Sequence, residues 1–256
     1  MDIRYLRTKF EDYAHKYQTI LMRREEGILE LTLHTEGRSL RWGRLPHAEL
    51  EEAFHHIARD RENQIVIMTG IGDEFSGPVP DPIENKAYHK MDAVGWGELG
   101  WESKGLLTNL LAIDAPMVGV VNGPATRHAE LPLMCDIVLA ADNASFQDSA
   151  HFVGGLVPGD GMHVVMPMLM GLNRGRYFLF TGEVIRAAEA KAMGLVGEVL
   201  PREKLLPRAW ELARMMLRQP ELNRRYTRTL LTEQLRRQIN ELLPYGLALE
   251  GLAITQ

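Results

Sequence analysis

Short apolar runs rich in β-branched residues recur along the first 200 residues of the chain and predict strands. The clearest are residues 28–35 (ILELTLHT), 64–70 (QIVIMTG), 117–123 (MVGVVNG) and 137–142 (IVLAAD), and a weaker one is 197–200 (GEVL). Valine, isoleucine and threonine favour strands because their branched side chains fit a pleated surface. We therefore predict a buried strand in each of these five segments.

Helical patterns lie between these runs. Leu50, Phe54 and Ile57 fall on one face of a predicted helix over residues 47–60, and four leucines share a face within residues 105–113. Alternation of strands and helices is typical of α/β proteins. The fold class that we predict is therefore α/β.

The tail of the chain, from about Pro201, has helical periodicity throughout. A break is predicted at residues 219–220 (Gln-Pro), because proline removes a backbone hydrogen bond and clashes with the preceding turn. We therefore predict a core over residues 1–200 and a helical region over residues 201–256, whose apolar stripes are packing surfaces. The stripes are Leu206, Ala209, Trp210, Ala213, Met216 and Leu217, then Leu222, Tyr226, Leu230, Leu235, Ile239 and Leu242.

Composition and charge bound the class of protein. With 256 residues, 45% of them hydrophobic and 25% charged, the chain suits one large domain or one domain with an appendage. Lys and Arg total 29 against 34 Asp and Glu, and this net charge of −5 gives no electrostatic reason to expect nucleic acid as a partner.

The chain also carries no sequence signal for a membrane. No apolar run approaches the roughly 18 residues that a crossing needs, and the charged N-terminal segment MDIRYLRTKFEDY lacks the apolar core of a signal peptide. We expect a cytoplasmic protein without a membrane partner. The single cysteine, Cys135, lies in an apolar run and is interpreted as a buried structural thiol.

Four segments, in order, resemble the signature segments of the enoyl-CoA hydratase/isomerase (crotonase) superfamily. They are residues 64–77 (QIVIMTGIGDEFSG), 121–146 (VNGPATRHAELPLMCDIVLAADNASF), 154–161 (GGLVPGDG) and 181–201 (TGEVIRAAEAKAMGLVGEVLP). The resemblance implies a crotonase fold, a spiral of ββα units followed by C-terminal helices that build trimers, often paired into hexamers. Self-association as a trimer or a dimer of trimers is expected on this ground.

The chain departs from that family where its members bind a thioester oxyanion. Family members place a Gly-rich stretch after the Asn-Gly motif, whereas residues 126–129 here are Thr-Arg-His-Ala. The earlier loop, residues 75–80 (FSGPVP), normally supplies a second backbone donor. Pro78 and Pro80 have no N–H, so Gly77 is the best remaining donor.

Two glutamates are expected in a hydratase of this family, and only one is present. Glu130 matches the first position, where we interpret it as a buried structural carboxylate within a hydrogen-bond network. His151 occupies the second position. This pattern resembles one branch of the superfamily, the β-diketone hydrolases related to 6-oxocamphor hydrolase. The segments SLRW, PHAEL, ATRHAE, FQDSAHF and VPGDG carry the resemblance.

The branch implies hydrolysis of a carbon–carbon bond in a cyclic 1,3-diketone by a retro-Claisen reaction with water, giving a keto acid without a cofactor. His151 is the expected general base, held by Asp160, because a neutral imidazole accepts a proton near pH 7. His128 and Trp42 are expected to bind a carbonyl, as both can donate hydrogen bonds. The resemblance carries the branch's site residues over to Trp42, His47, His128, His151, Asp160 and Glu250.

The roles of the remaining candidates are less specific. His47 and Glu250 are expected to orient substrate or to deliver a proton to the enolate. Gly77 and Phe152 are expected to contact substrate. We predict pocket walls at Phe75, Val79, Tyr88, Trp96, Phe152 and Leu156.

Each candidate has a plainer interpretation. Asp160 after a glycine suits a helix N-cap, Trp42 suits a core, and Glu250 suits a solvated helix face. No metal site is expected, because the histidines and acids lack a spacing such as HExxH. Two other functions stay open, an acyl-CoA hydratase or isomerase of the same superfamily and a non-catalytic oligomeric scaffold.

Overall fold

The computed structural model describes residues 7–80 and 91–254 and gives the chain a mixed α/β architecture. Its strands, in chain order, are β1 (Ile20–Glu25), β2 (Ile28–Leu33), β3 (Leu40–Trp42), β4 (Ile65–Gly70), β5 (Ser76–Pro78), β6 (Met117–Val121), β7 (Ile137–Ala141), β8 (Ser145–Phe146), β9 (Ile185–Arg186) and β10 (Glu198–Leu200). The predicted α/β class is confirmed.

Helices follow most of these strands. They are α1 (Arg44–Arg59), α2 (Ala93–Ala112), α3 (Glu130–Leu133), α4 (Met162–Met170), α5 (Leu172–Thr181), α6 (Ala187–Met193), α7 (Arg202–Leu217) and α8 (Glu221–Ile254). Short 3-10 turns lie at Phe10–Asp12 and Phe152–Gly154. None of the described helices combines the length and the apolar character that a membrane crossing requires.

The main sheet has six strands in the order β1-β2-β4-β6-β7-β10. β1 and β2 form an antiparallel pair, whereas the neighbours from β2 to β10 run parallel. The central strands β4 and β6 are buried almost throughout, as a parallel sheet covered on both faces requires. All five predicted strands are confirmed, each within two residues at either end.

Two short sheets bring distant loops together beside the main sheet. β3 pairs with β5, and β8 pairs with β9. Ala125, in the segment after β6, forms isolated bridges with Ser76 of β5 and Phe146 of β8. The segments that follow β3, β6 and β8 are therefore neighbours in space.

Helix α1 begins at Arg44, three residues before its predicted start, and buries Leu50, Phe54 and Ile57 on one face. This face packs against α2. Helix α2 begins at Ala93 and is capped by Asp92, whose side chain accepts a hydrogen bond from the Gly95 backbone at 2.8 Å. The α1–α2 contact places the first turn of α1 beside the middle of α2.

The helical tail is confirmed, with its break where the sequence places it. α7 ends at Leu217 and α8 begins at Glu221. α7 packs on strands of the main sheet and α8 packs on α2 and α4, so both helices contribute to one core. The fully buried Arg228 of α8 donates to Asp136 at 2.7 Å and fixes the helix against the segment before β7. Cys135, next to Asp136, is buried as expected.

The last turns of α8 approach the loop before α4 closely. A side-chain carbon at Gly159 would lie 2.2 Å from the backbone oxygen of Gly246, which is too close for any residue other than glycine. A side-chain carbon at Gly246 would likewise lie 2.5 Å from the backbone oxygen of Gly159. This contact carries the end of α8 over the loop that precedes Asp160. Glu250, one turn beyond Gly246, is buried there.

Candidate active site

A cavity of about 300 Å³ lies where these segments meet. Its walls come from β3 and α1, from α2, from the segments after β6 and β8, and from the end of α8. The lining residues are Trp42, His47, Trp96, Leu99, Ser103, Arg127, His128, Ser149, Ala150, His151, Gly154, Leu156, Asp160, Glu250 and Ile254. All six residues that the resemblance carries over therefore line one cavity.

His128 adopts an unusual backbone conformation at the centre of this cavity. Its φ is +48°, in the left-handed region that disfavours side chains with a Cβ. The family places glycine in this stretch, so a side chain here is held against its backbone preference. Trp42 covers the imidazole, with ring centroids 3.8 Å apart and planes tilted by 30°.

Glu130 holds the other side of the His128 ring. Its Oε1 lies 2.7 Å from His128 Nδ1, and the carboxylate is fully buried. Glu130 is thus confirmed as a buried carboxylate with a hydrogen-bond partner. Burial alone would lower the pKa of His128, but the Glu130 carboxylate outweighs it and the pKa is raised. His128 is therefore suited to donate from Nε2 into the cavity.

His151 lies between two aspartates. Asp148 Oδ1 is 2.7 Å from Nδ1 and Asp160 Oδ2 is 3.2 Å from Nε2. Burial opposes the charged ring, yet the carboxylates of Asp160 and Asp148 raise the pKa of His151 well above its usual value. The sequence predicted a neutral imidazole at pH 7, and the electrostatics differ because the carboxylates of Asp160 and, after it, Asp148 lie against the ring.

Asp160 and Glu250 complete the acidic side of the cavity. Asp160 Oδ2 is also 3.7 Å from His128 Nε2, so it lies between the two histidines. Burial opposes ionisation of Asp160, but His151 and His128 hold its pKa below the usual range. Glu250 Oε1 is 3.9 Å from His151 Nε2, and burial together with the charge of Asp160 raises the pKa of Glu250 to about 8. At neutral pH the Asp160 carboxyl is therefore ionised and the Glu250 carboxyl is protonated.

His47 stands across the cavity in the first turn of α1. Its Nε2 is 3.2 Å from Ser103 Oγ and its Nδ1 is 3.4 Å from Glu102 Oε2. Burial lowers the pKa of His47, so this ring is neutral at neutral pH. The cavity therefore holds one neutral histidine and two with raised pKa values.

Two predicted substrate contacts lie outside the cavity lining. Gly77 is within β5, where it pairs with Arg41 of β3, and Arg41 and Glu74 occupy the space beside it. Phe152 is 54% exposed and packs edge-on against Phe180 at 4.9 Å. The turn after His151 therefore directs this side chain to the surface.

The predicted walls are divided in the same way. Trp96 and Leu156 line the cavity. Phe75 is buried in the core, and Val79 lines a separate cleft beside β3. Tyr88 lies outside the described residues.

Three polar partners were not found by sequence reasoning. Asp148 precedes His151 by three residues, and this spacing is a local signal that could have identified it. Glu102 and Ser103 lie on α2, far from His47 in sequence, and only the packing of α1 on α2 brings them to the ring. Across residues 7–80 and 91–254, the His, Cys, Asp and Glu side chains form no group that could hold a metal ion.

The cavity combines the three functions that carbonyl chemistry requires. His128 and Trp42 present donors for a carbonyl oxygen, His151 with its aspartates can take up a proton, and the protonated Glu250 can release one. Apolar side chains from α2 and α8 line the same cavity.

Comparison with solved structures gives close matches to this fold. A β-diketone hydrolase from the cyanobacterium Anabaena sp. PCC 7120, solved with (S)-3-oxocyclohexyl acetic acid bound, is 46% identical, with a TM-score of 0.91 and coverage of 95% of this chain and 97% of that one. An enoyl-CoA hydratase/isomerase from Mycobacterium paratuberculosis is 25% identical, with a TM-score of 0.86 and coverage of 94% and 96%.

Sequence comparison gives the same family. A crotonyl-CoA hydratase from Syntrophomonas wolfei is 29% identical over 226 residues, which are 88% of this chain and 85% of the hydratase. The family model described as enoyl-CoA hydratase/isomerase matches residues 24–251. This match spans most of the chain and includes every residue that lines the cavity except Ile254. The chain therefore belongs to the enoyl-CoA hydratase/isomerase family, the crotonase superfamily of enzymes.

Proposed function

We propose that the chain is a β-diketone hydrolase that cleaves a carbon–carbon bond of a cyclic 1,3-diketone with water and releases a keto acid. The observation that carries the proposal is the placement of His128 and His151 around Asp160, at positions where hydratases of the family use backbone amides and a glutamate. The 46% identical Anabaena structure, a β-diketone hydrolase solved with a compound named as a keto acid, supports the same activity.

The first step is addition of water to one ketone. Nδ1 of His151 is bound to Asp148, so Nε2 is the nitrogen that faces the cavity and takes the proton from water. Asp148 and Asp160 then stabilise the imidazolium, as an acid partner does in other histidine-based sites. The oxyanion that forms accepts hydrogen bonds from His128 and Trp42, whose donors are worth most where water is excluded.

The second step breaks the carbon–carbon bond. The tetrahedral oxyanion collapses to a carboxylic acid, and the electron pair of the broken bond moves into the second carbonyl to give an enolate. No coenzyme is required, because the second carbonyl accepts those electrons. We propose that Glu250, protonated below its pKa of about 8, gives a proton to the enolate carbon, and that the proton His151 took from water then returns to Glu250.

Acyl-CoA hydration is the alternative, favoured by the relatives named as hydratases. We expect purified protein, treated with a chelator, to convert a 2,2-dialkylcyclohexane-1,3-dione to its keto acid, because such a diketone cannot escape attack by enolising between its carbonyls. Loss of diketone absorbance and chromatography of the acid measure the reaction. Turnover of crotonyl-CoA without any keto acid would establish the alternative instead.

The pH dependence of kcat/KM is expected to be bell-shaped and displaced to the alkaline side of neutrality. His151 accepts a proton only when neutral, and its pKa is raised, so activity falls as pH drops through a value above 6.5. Glu250 donates only when protonated, so activity also falls as pH rises through about 8. Because His151 and Glu250 interact, the apparent pKa values of the two limbs describe the pair rather than either residue alone.

Steady-state rates between about pH 5 and about pH 10 measure both limbs. Glu250→Gln keeps the size of the side chain and removes the titration, so the alkaline limb should disappear in this variant while the acid limb remains. An acid limb below pH 6.5 in the unaltered protein would contradict the raised pKa of His151.

We also propose that the chain assembles as a trimer or as a dimer of trimers through its tail. Large apolar side chains of α8 lie at the surface, and an apolar face of this size is usually covered by a partner. Light scattering should give a multiple of three times the 29.0 kDa subunit mass. A monomer at micromolar concentration would contradict this. The exposed apolar residues of α8 are Leu222, Tyr226, Leu230, Leu231, Leu242, Tyr245, Leu249 and Leu252.

A further inference from the structure

Ser103, His47 and Glu102 form a row on the α2 side of the cavity. Ser103 Oγ is 3.2 Å from His47 Nε2, and His47 Nδ1 is 3.4 Å from Glu102 Oε2. A hydroxyl, an imidazole and a carboxylate in this order are the arrangement that activates a nucleophile, since the base takes the hydroxyl proton and the carboxylate holds the base. The diketone chemistry gives His47 the orienting or proton-delivering role expected from the resemblance, but it leaves Ser103 and Glu102 without a role.

Each member of the row is in the state that the arrangement needs. Ser103 and His47 are buried and line the cavity. Burial lowers the pKa of His47, so its ring can accept a proton at neutral pH. The His47 ring, 3.4 Å away, and the Arg44 guanidinium lower the pKa of Glu102, so the carboxylate is ionised and can stabilise the imidazolium.

The Ser103 hydroxyl has one proton and two acceptors within reach. Its Oγ is 2.9 Å from the Leu99 carbonyl, a bond that many serines make within a helix, and 3.2 Å from His47 Nε2. Rotation of the Ser103 hydroxyl about the Cβ–Oγ bond redirects its hydrogen bond from the Leu99 carbonyl to the His47 imidazole. Glu102 favours this second state, because a proton on Nδ1 leaves Nε2 as the acceptor.

We propose that Ser103 is a nucleophile and that the cavity therefore also hydrolyses small apolar esters through an acyl-Ser103 intermediate. His47 takes the proton of Ser103 as Oγ bonds to the ester carbonyl carbon. The tetrahedral oxyanion collapses, the carbon–oxygen bond to the alcohol breaks, and His47 returns the proton to the leaving alcohol. Water then attacks the acyl-serine with His47 again as base, which releases the acid and restores Ser103.

The cavity sets the class of ester. A volume of about 300 Å³ with walls from Trp96, Leu99, Leu156 and Ile254 fits a short apolar acyl group. In this proposal the donor for the ester oxyanion is His128, whose ring centroid is 6.1 Å from that of His47. Nucleophile and oxyanion donor thus line the same small cavity.

The test is covalent labelling of the purified full-length protein with a fluorophosphonate probe, together with hydrolysis of 4-nitrophenyl acetate. Mass spectrometry should place the label on the peptide that contains Ser103. Ser103→Ala should abolish labelling and lower ester hydrolysis by about 10²-fold or more, the contribution of an activated nucleophile and its base. His47→Gln should slow labelling by a similar factor.

Thr108→Ala is the matched control. Thr108 lies on the same helix and makes the same hydrogen bond one turn back, to the Lys104 carbonyl at 2.8 Å, without a histidine partner. This variant should label and hydrolyse ester like the unaltered protein. Labelling at another residue, or ester hydrolysis in Ser103→Ala equal to that of Thr108→Ala, would overturn the proposal. Because the readouts are labelling and ester hydrolysis, they are independent of whether the protein cleaves a diketone.

Discussion

Replacing His151 by alanine is expected to lower turnover of a cyclic 1,3-diketone by about 10²–10⁴-fold, the usual contribution of a general base. Nε2 of this ring faces the cavity between Asp160 and Glu250, and Asp148 fixes the opposite nitrogen. The measurement is kcat from steady-state loss of the diketone. KM should change less, because the base acts on water rather than on the bound ketone.

Asp148 and His151 should behave as one unit. Asp148→Asn is expected to lower kcat strongly by itself, and the double variant should be little worse than His151→Ala, because residues that act together are non-additive. Asp142→Asn is the matched control, since Asp142 is exposed at the end of the neighbouring strand β7. If His151→Ala kept near-normal activity while Glu130→Gln abolished it, the site would be working like a hydratase and the mechanism would be wrong.

Replacing His128 by alanine is expected to lower kcat by about 10²–10³-fold, the typical cost of one lost oxyanion donor. KM should rise as well, because the ketone of the bound substrate already accepts the same hydrogen bond. The fold-losses in kcat of His128→Ala and His151→Ala should multiply in the double variant more nearly than those of Asp148→Asn and His151→Ala. Some coupling is expected through Asp160, which contacts both rings.

His55→Ala provides the control for this variant, because His55 is an exposed histidine on the outer face of α1. Its kinetics should match those of the unaltered protein. Unchanged kcat in His128→Ala would mean that the oxyanion is stabilised by another donor, and Trp42→Phe would then be the variant that loses turnover.

The sequence predicts the inner strands well and the outer elements poorly. Central parallel strands are buried on both faces, so they appear as unbroken apolar runs. β1 escaped this criterion because it pairs on one edge only, and its sequence ILMRRE mixes apolar and charged residues. Helix α2 begins well before its predicted start, because Gly95, Gly97 and Gly100 weaken the helical signal that packing on α1 restores.

The candidate site was predicted as a set of residues but not as a set of contacts. Resemblance identified six side chains that line one cavity, because the segments that carry them are matched in order. It did not provide Asp148, whose carboxylate adds to that of Asp160 in raising the pKa of His151. Nor could it provide Ser103, which reaches His47 only through the packing of two helices.

The contact between Gly159 and Gly246 limits which segments of this fold can be exchanged with those of a relative. The tail was expected to be a separate helical region, yet α8 supplies Glu250 and Ile254 to the cavity and is anchored to the core by Arg228. A chimera that joined residues 1–200 to the tail of a hydratase would therefore exchange part of the cavity lining along with the proposed assembly surface. In this protein the tail and the core form one unit for engineering, and any exchange that preserves chemistry has to keep the two glycines together with Glu250.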